Sequence, residues 1–146
     1  MYDLDFAIGR MGNFRQGIAL SVLRRLDEVV ARRRERAGYL REQLRGVTNV
    51  QLLDPPAGSQ PSYPWLPLLM EKRDEAVRRL RARGLGASRL FTRSLNQYEY
   101  LRGIVPPGSY PKAEYLAARL LTLPTHKYVT QRDIDRMVAM LAEMAC

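Results

Sequence analysis

The chain contains few of the residues with which enzymes build reactive centres. It has one cysteine, Cys146, and one histidine, His126, among 146 residues. A single cysteine excludes an intrachain disulfide and a cysteine-based metal site, and it is typical of a reducing cytoplasm. The sequence has no glycine-rich phosphate loop and no GxSxG nucleophile motif. Taken alone, the residues predict a domain with no catalytic, cofactor-binding or metal-binding residues.

Long apolar runs are also missing. No stretch approaches the roughly 18 apolar residues that a membrane span needs. The first six residues, Met-Tyr-Asp-Leu-Asp-Phe, are acidic and lack a signal-peptide pattern. These features predict a cytoplasmic protein that does not enter a membrane.

Lysine is scarce, although the chain is basic. Lysine and arginine total 24 against 15 acidic residues, for a net charge of +9. Only Lys72, Lys112 and Lys127 are lysines, so 24 − 3 = 21 are arginines. A GC-rich coding sequence favours arginine, so the charge is weak support for nucleic-acid binding. An arginine-rich module that binds a polyanion stays open as an alternative.

The length and the apolar fraction of 46% fit one domain, residues 1–146. Hydrophobic spacing predicts the order helix, strands, helix, strand, loop, helix, helix. We expect an α+β fold: a small, mostly antiparallel sheet with helices on one face and a long N-terminal helix. The predicted bounds are a helix at about 14–45 bent at Gly38, strands at 47–53 and 62–71, a helix from Asp74 ended by Gly84, a strand at 85–91, a loop at 92–110, a helix at 111–120 and a last helix capped by Thr130 and Asp133.

Two prolines shape the second strand. Pro64 and Pro67 lack the backbone N–H that a ladder needs, so this strand is predicted at a sheet edge or a bulge. Lys127 follows Pro124 and precedes a helix cap, which predicts an exposed turn and no cofactor-binding role. Met137, Met140 and Met144 are predicted to fill the core.

Three segments resemble the DegT/DnrJ/StrS family of pyridoxal-phosphate (PLP) sugar aminotransferases. The first is RMGNFRQGIALSVLRRLDEVVARRR at 10–34, the second is RARGLGAS at 81–88, and the third is AEYLAARLLTLPTHKYVTQRDIDRM at 113–137. They are similar to the family's Arg-Met helix, its Gly-Ile turn and its Leu-Pro-x-His segment, in that order. The matching residues in the first segment are Arg10, Met11, Asn13, Ala19, Leu23, Leu26, Asp27, Arg33 and Arg34.

The resemblance implies the small, C-terminal domain of an enzyme with the aspartate-aminotransferase fold. Such enzymes are homodimers that move an amino group to a keto group of a nucleotide-linked sugar. The large domain, which carries PLP and its lysine, is predicted to be missing here, so the isolated chain is expected to be inactive. The alternative is a stand-alone interaction or dimerisation module derived from that domain. The resemblance implies substrate or partner-subunit contacts for Arg10, Asn13, Arg89 and Phe91.

The chain departs from the family pattern at two places. Ile8 stands where many members have an asparagine that contacts the partner's PLP phosphate, and an isoleucine side chain cannot donate that hydrogen bond. Leu90 and Phe91 stand where many members have a His-Tyr pair near substrate. These departures predict either another substrate or an inactive branch.

Overall fold

The computed structural model describes residues 10–144. Two short 3-10 turns, Leu95–Gln97 and Glu99–Leu101, lie in the segment predicted as a loop. The helices and strands are α1 (Asn13–Leu23), α2 (Leu26–Leu44), β1 (Gln51–Leu52), β2 (Trp65–Leu69), α3 (Arg73–Ala82), β3 (Ser88–Arg89), α4 (Pro111–Arg119), β4 (Leu120–Pro124) and α5 (Gln131–Glu143).

The four strands form one antiparallel sheet in the order β1-β2-β4-β3. The α+β prediction is confirmed, but β1 and β3 are each only two residues long. Strand β4, an inner strand of the sheet, was not predicted from the sequence. Its residues, LLTLP, follow α4 directly, and a short apolar run after a helix has no periodicity that separates it from the helix.

The prediction that the second strand lies at an edge is wrong, because β2 lies between β1 and β4. Its proline is tolerated for a local reason. β1 pairs only with Leu68 and Leu69, so on that side no strand lies opposite Pro67. On the other side, Pro67 faces Thr122 of β4. Proline in a strand requires a side on which no neighbouring strand needs its missing N–H. Pro67 has such a side, although β2 is an inner strand.

The predicted single helix is two helices, and α2 runs through Gly38 without a break. The break falls at Arg24 and Arg25, and Arg25 leaves helical geometry with φ −111° and ψ 11°. Asp27 and Glu28 lie in the first turn of α2, where carboxylates interact favourably with the helix dipole. That acidic pair was the available sign of a new helix start.

The hydrophobic core lies between one face of the sheet and α2, α3 and α5. Alternate residues Leu66, Leu68, Leu121 and Leu123 of the two inner strands point into it. The helices contribute Ala37, Leu40, Leu44, Ala76, Val77, Leu80, Ile134, Met137, Met140 and Leu141. The core role predicted for Met137, Met140 and Met144 is confirmed, since all three are buried.

Two helix ends form as their residues predict. Gly84 follows α3 with a φ of +73°, the left-handed conformation that glycine adopts without steric cost. Thr130 caps α5: its hydroxyl accepts from the Asp133 N–H at 3.2 Å, and its own N–H donates to the Asp133 carboxylate at 3.1 Å. Hydrogen bonds from the Thr130 side chain and backbone lower the pKa of Asp133 below its ordinary value. No helix within residues 10–144 is long and apolar enough to cross a membrane.

Candidate functional site

The first helix, α1, exposes apolar side chains to solvent. None of its residues is buried. Phe14 is 82% exposed and Ile18 52% exposed, and Val22 lies on the same stripe. We call Phe14, Ile18 and Val22 the α1 face. An apolar stripe of this kind on a helix that buries nothing indicates a surface for contact with another protein or domain.

Arg10 and Asn13 lie at the start of α1, and both are exposed. Asn13 is the first helical residue, and Gly12 before it offers no side-chain cap. Arg10 precedes the helix by three residues, so both residues lie in the sequence just before the apolar residues of the α1 face. Their predicted contacts with substrate or a partner subunit stay a prediction.

Arg89 and Phe91 lie far from α1 in the sequence. Arg89 is the last residue of β3, and Phe91 follows it by two residues. The Arg89 Nε is 3.7 Å from the Asp74 carboxylate at the start of α3. Phe91 is 66% exposed, so it is not part of the hydrophobic core. No hydrogen bond or ion pair within residues 10–144 joins Arg10 or Asn13 to this second pair.

A buried arginine, which the sequence analysis did not single out, holds this second region in place. Arg73 is only 5% exposed at the start of α3. Its guanidinium donates to the Asp74 carboxylate at 3.0 Å, to the Phe91 carbonyl at 3.4 Å and to the Ala117 carbonyl. These bonds join α3, the end of β3 and the end of α4. One arginine among 21 carries no sequence signal that marks it as buried.

The loop after Phe91 is anchored to α4. The Asn96 side-chain amide donates to the Glu114 carboxylate at 2.8 Å, and the Tyr110 N–H donates to the same oxygen at 3.2 Å. These two bonds lower the pKa of Glu114 below its ordinary value. The anchored loop presents exposed apolar side chains at Leu95, Tyr100 and Ile104. This loop and Phe91 form a second candidate contact surface.

The three lysines of the chain all lie within the described residues. A lysine that binds PLP covalently needs a desolvated or electrostatically tuned setting, yet Lys72, Lys112 and Lys127 are all exposed. The exposed turn predicted for Lys127 is confirmed, and its Nζ lies 5.0 Å from the Tyr128 ring centroid. Ile8, which stands where many family members have the asparagine that contacts the PLP phosphate, lies outside the described residues. Within residues 10–144 no group of three His, Cys, Asp or Glu side chains could hold a metal ion.

The described residues define a small α+β domain with an apolar helix face, on α1, that no part of residues 10–144 buries. The comparisons with known proteins place it more closely. The DegT/DnrJ/EryC1/StrS aminotransferase family model matches residues 7–142, and the chain belongs to that family.

Individual relatives agree with the family model. The chain is 26% identical over 133 residues to the erythromycin biosynthesis sensory transduction protein EryC1 of Saccharopolyspora erythraea, covering 90% of this chain and 36% of that protein. The structure of DesV from S. venezuelae in complex with a ketimine intermediate matches with TM-score 0.77 and 27% identity, over 84% of this chain and 33% of DesV. DesI in the presence of its TDP-sugar product matches with TM-score 0.78 and 27% identity, over 86% and 33%. The chain therefore spans about a third of the length of these relatives.

Proposed function

We propose that this chain is the C-terminal small domain of a PLP-dependent aminotransferase that acts on a nucleotide-linked keto sugar in the cytoplasm. The observation that carries the proposal is the coverage: one family model accounts for residues 7–142, while the matched relatives are about three times as long. The TDP-sugar product in the structure of DesI supports a nucleotide-linked substrate. The small domain would supply surface and substrate contacts, and a large domain would supply the chemistry.

The exposed α1 face supports a partner of that kind. Helix α1 has 11 residues, and isolated helices shorter than about 12–15 residues are marginal in water. Most helical stability in proteins comes from packing of an apolar face, which α1 lacks within residues 10–144. A large domain covering Phe14 and Ile18 would supply that packing. We infer a homodimer of such two-domain subunits, with Arg10 and Asn13 near the surface where the parts meet.

The predicted substrate contacts are assigned to the second surface. The Arg89 side chain is 45% exposed, and its Nε lies 3.7 Å from one Asp74 carboxylate oxygen, so the guanidinium retains donors for an anionic ligand. Phe91 follows Arg89 by two residues and is 66% exposed, and its carbonyl accepts a hydrogen bond from Arg73 at 3.4 Å. PLP, when bound to the large domain, supplies the electron sink for amino transfer. Arg89 and Phe91 would then orient the sugar substrate.

The proposal predicts that the isolated chain neither binds PLP through one lysine nor transfers amino groups. Added PLP should give no saturable absorption band of lysine-bound PLP, because all three lysines are exposed. Lys127→Ala and Lys112→Ala should behave like the unmodified chain in titrations with PLP followed by absorbance. Amino transfer from glutamate or glutamine to a nucleotide-linked keto sugar should be at the level of the protein-free control.

Lys112→Ala is the matched control in this test, since Lys112 and Lys127 are both exposed. A one-to-one PLP band that Lys127→Ala abolishes and Lys112→Ala retains would contradict the proposal. It would assign to the small domain the lysine that we assign to the large one. Amino transfer by the isolated chain would contradict it as well.

A further inference from the structure

A basic cleft lies between helix α2 and the turn that joins β4 to α5. Its volume is about 430 Å³. We call it the α2–turn cleft. None of the four predicted contact residues lines it. Its lining residues are Val22, Arg25, Glu28, Val29, Arg32, Arg33, Arg36, His126, Lys127 and Tyr128.

The spacing of the residues on α2 places the positive charges on one wall. On α2, Val29, Arg32 and Arg36 follow each other at steps of three and four residues, which keeps them on one face of the helix. Arg25 is the residue before α2, and from Leu26 to Arg36 the helix rises about 15 Å at 1.5 Å per residue. The opposite wall adds Lys127. The charged groups therefore line the cleft over a length that exceeds a single phosphate.

Most of this charge is uncompensated. Five cationic side chains and one carboxylate line the cleft, so the balance is 5 − 1 = +4. Glu28 is paired with Arg32 at 2.6 Å. Within residues 10–144, no carboxylate lies within 4.0 Å of the charged groups of Arg25, Arg33 or Lys127. Like charges gathered in a cleft repel one another, and a bound anion would relieve that repulsion.

The cleft has a fixed wall and an apolar flank. The Arg36 guanidinium donates to the Val129 carbonyl at 3.2 Å and to the Arg32 carbonyl at 3.3 Å, which holds α2 beside the turn. The Tyr128 ring is 75% exposed and lies next to His126, with ring centroids 6.0 Å apart. Val29 adds apolar surface on the α2 side. Tyr128 therefore adds exposed aromatic surface to the cleft, next to the Lys127 Nζ at 5.0 Å from its ring centroid.

We propose that the α2–turn cleft binds a diphosphate group. Arginine forks match phosphate oxygens in bidentate geometry, and two linked phosphates carry enough charge to engage both walls. The diphosphate could come from free inorganic pyrophosphate or from a nucleoside diphosphate, whose base would pack on Tyr128. The site shares Val22 with the α1 face, but it uses none of the four residues proposed to contact substrate or a partner subunit.

The single histidine makes the test local. His126 gives the only histidine ring signals in the proton NMR spectrum, and it lines the cleft. Titration of the 146-residue chain with pyrophosphate at about 50 mM salt should shift those signals saturably, with binding measured in parallel by calorimetry. The double variant Arg33→Gln/Lys127→Gln should weaken pyrophosphate binding at least about tenfold, because it removes two uncompensated charges. The control Lys72→Gln/Arg78→Gln loses the same charge outside the cleft and should change binding less than about twofold.

Two outcomes would overturn the site. One is the absence of a saturable His126 shift; the other is an equal loss of binding in both double variants, which would assign binding to net charge. The single variant Lys127→Gln, on an exposed turn, keeps the test decisive if the double variant unfolds. A nucleoside diphosphate that binds more tightly than pyrophosphate, with a gain that Tyr128→Leu removes, would identify a nucleotide ligand. If the nucleoside diphosphate and pyrophosphate bind equally tightly, and Tyr128→Leu changes neither affinity, the ligand is the inorganic anion.

Discussion

Replacing Leu121 with alanine is expected to lower the free energy of unfolding by about 2–5 kcal/mol. Leu121 is 0% exposed on the inner strand β4, where it faces Leu68 of β2 in the ladder. Truncation removes buried apolar surface and leaves a cavity that the two paired strands cannot readily fill. For a domain of this size, the melting temperature should fall by about 5–20 °C.

Chemical denaturation of the 146-residue chain measures this effect. Leu95→Ala is the matched control, because it is the same substitution at a largely exposed position. The control should stay within about 0.5 kcal/mol of the parent. If Leu121→Ala cost no more than Leu95→Ala, β4 would not be an inner strand of the folded chain.

The double variant Phe14→Glu/Ile18→Glu is expected to have the opposite pattern. It introduces two charges into the α1 face, yet α1 buries no residue, so the free energy of unfolding should change by less than about 1 kcal/mol. Association should change strongly, because an exposed apolar face favours self-association when its natural cover is absent. We expect the parent chain to self-associate at high concentration and the variant to sediment as a monomer.

The control for this variant is Arg15→Gln/Arg24→Gln, which changes the net charge of α1 by the same −2 and leaves its apolar residues in place. It should associate like the parent in sedimentation velocity. A parent chain that stays monomeric at all concentrations, or a control that dissociates like the glutamate variant, would contradict the contact role of the α1 face.

The apolar residues of α1 and α2 differ in burial, although they have the same spacing in the sequence. Ile18, Val22, Leu40 and Leu44 lie on one apolar stripe in the sequence, but only Leu40 and Leu44 are buried. Periodicity identifies the apolar side of a helix and not what covers it. Whether an apolar stripe packs on the sheet of its own domain or on another surface depends on tertiary structure. The break at Arg24 and Arg25 is also not explained by helix propensity, because arginine is a good helix former.

The helix ends were predictable because their chemistry is local. The Thr130 and Asp133 cap and the left-handed Gly84 depend on residues within one turn. The sheet was less predictable. Strand β4 has no turn before it, and Pro67 is tolerated because β1 is too short to pair with it. At the candidate site, Phe91 was predicted from the resemblance, and its contact role stays a prediction. Arg73 was not predicted, because its burial depends on carbonyls of Phe91 and Ala117, distant in the sequence.

The central claim is that this domain belongs with a large PLP-binding domain. The most direct measurement is the DNA sequence upstream of the Met1 codon. We predict that the reading frame continues upstream into a large domain with a lysine in a PLP-binding setting. A stop codon followed by a ribosome-binding site just before Met1 would contradict this claim, and it would identify the chain as a stand-alone interaction module.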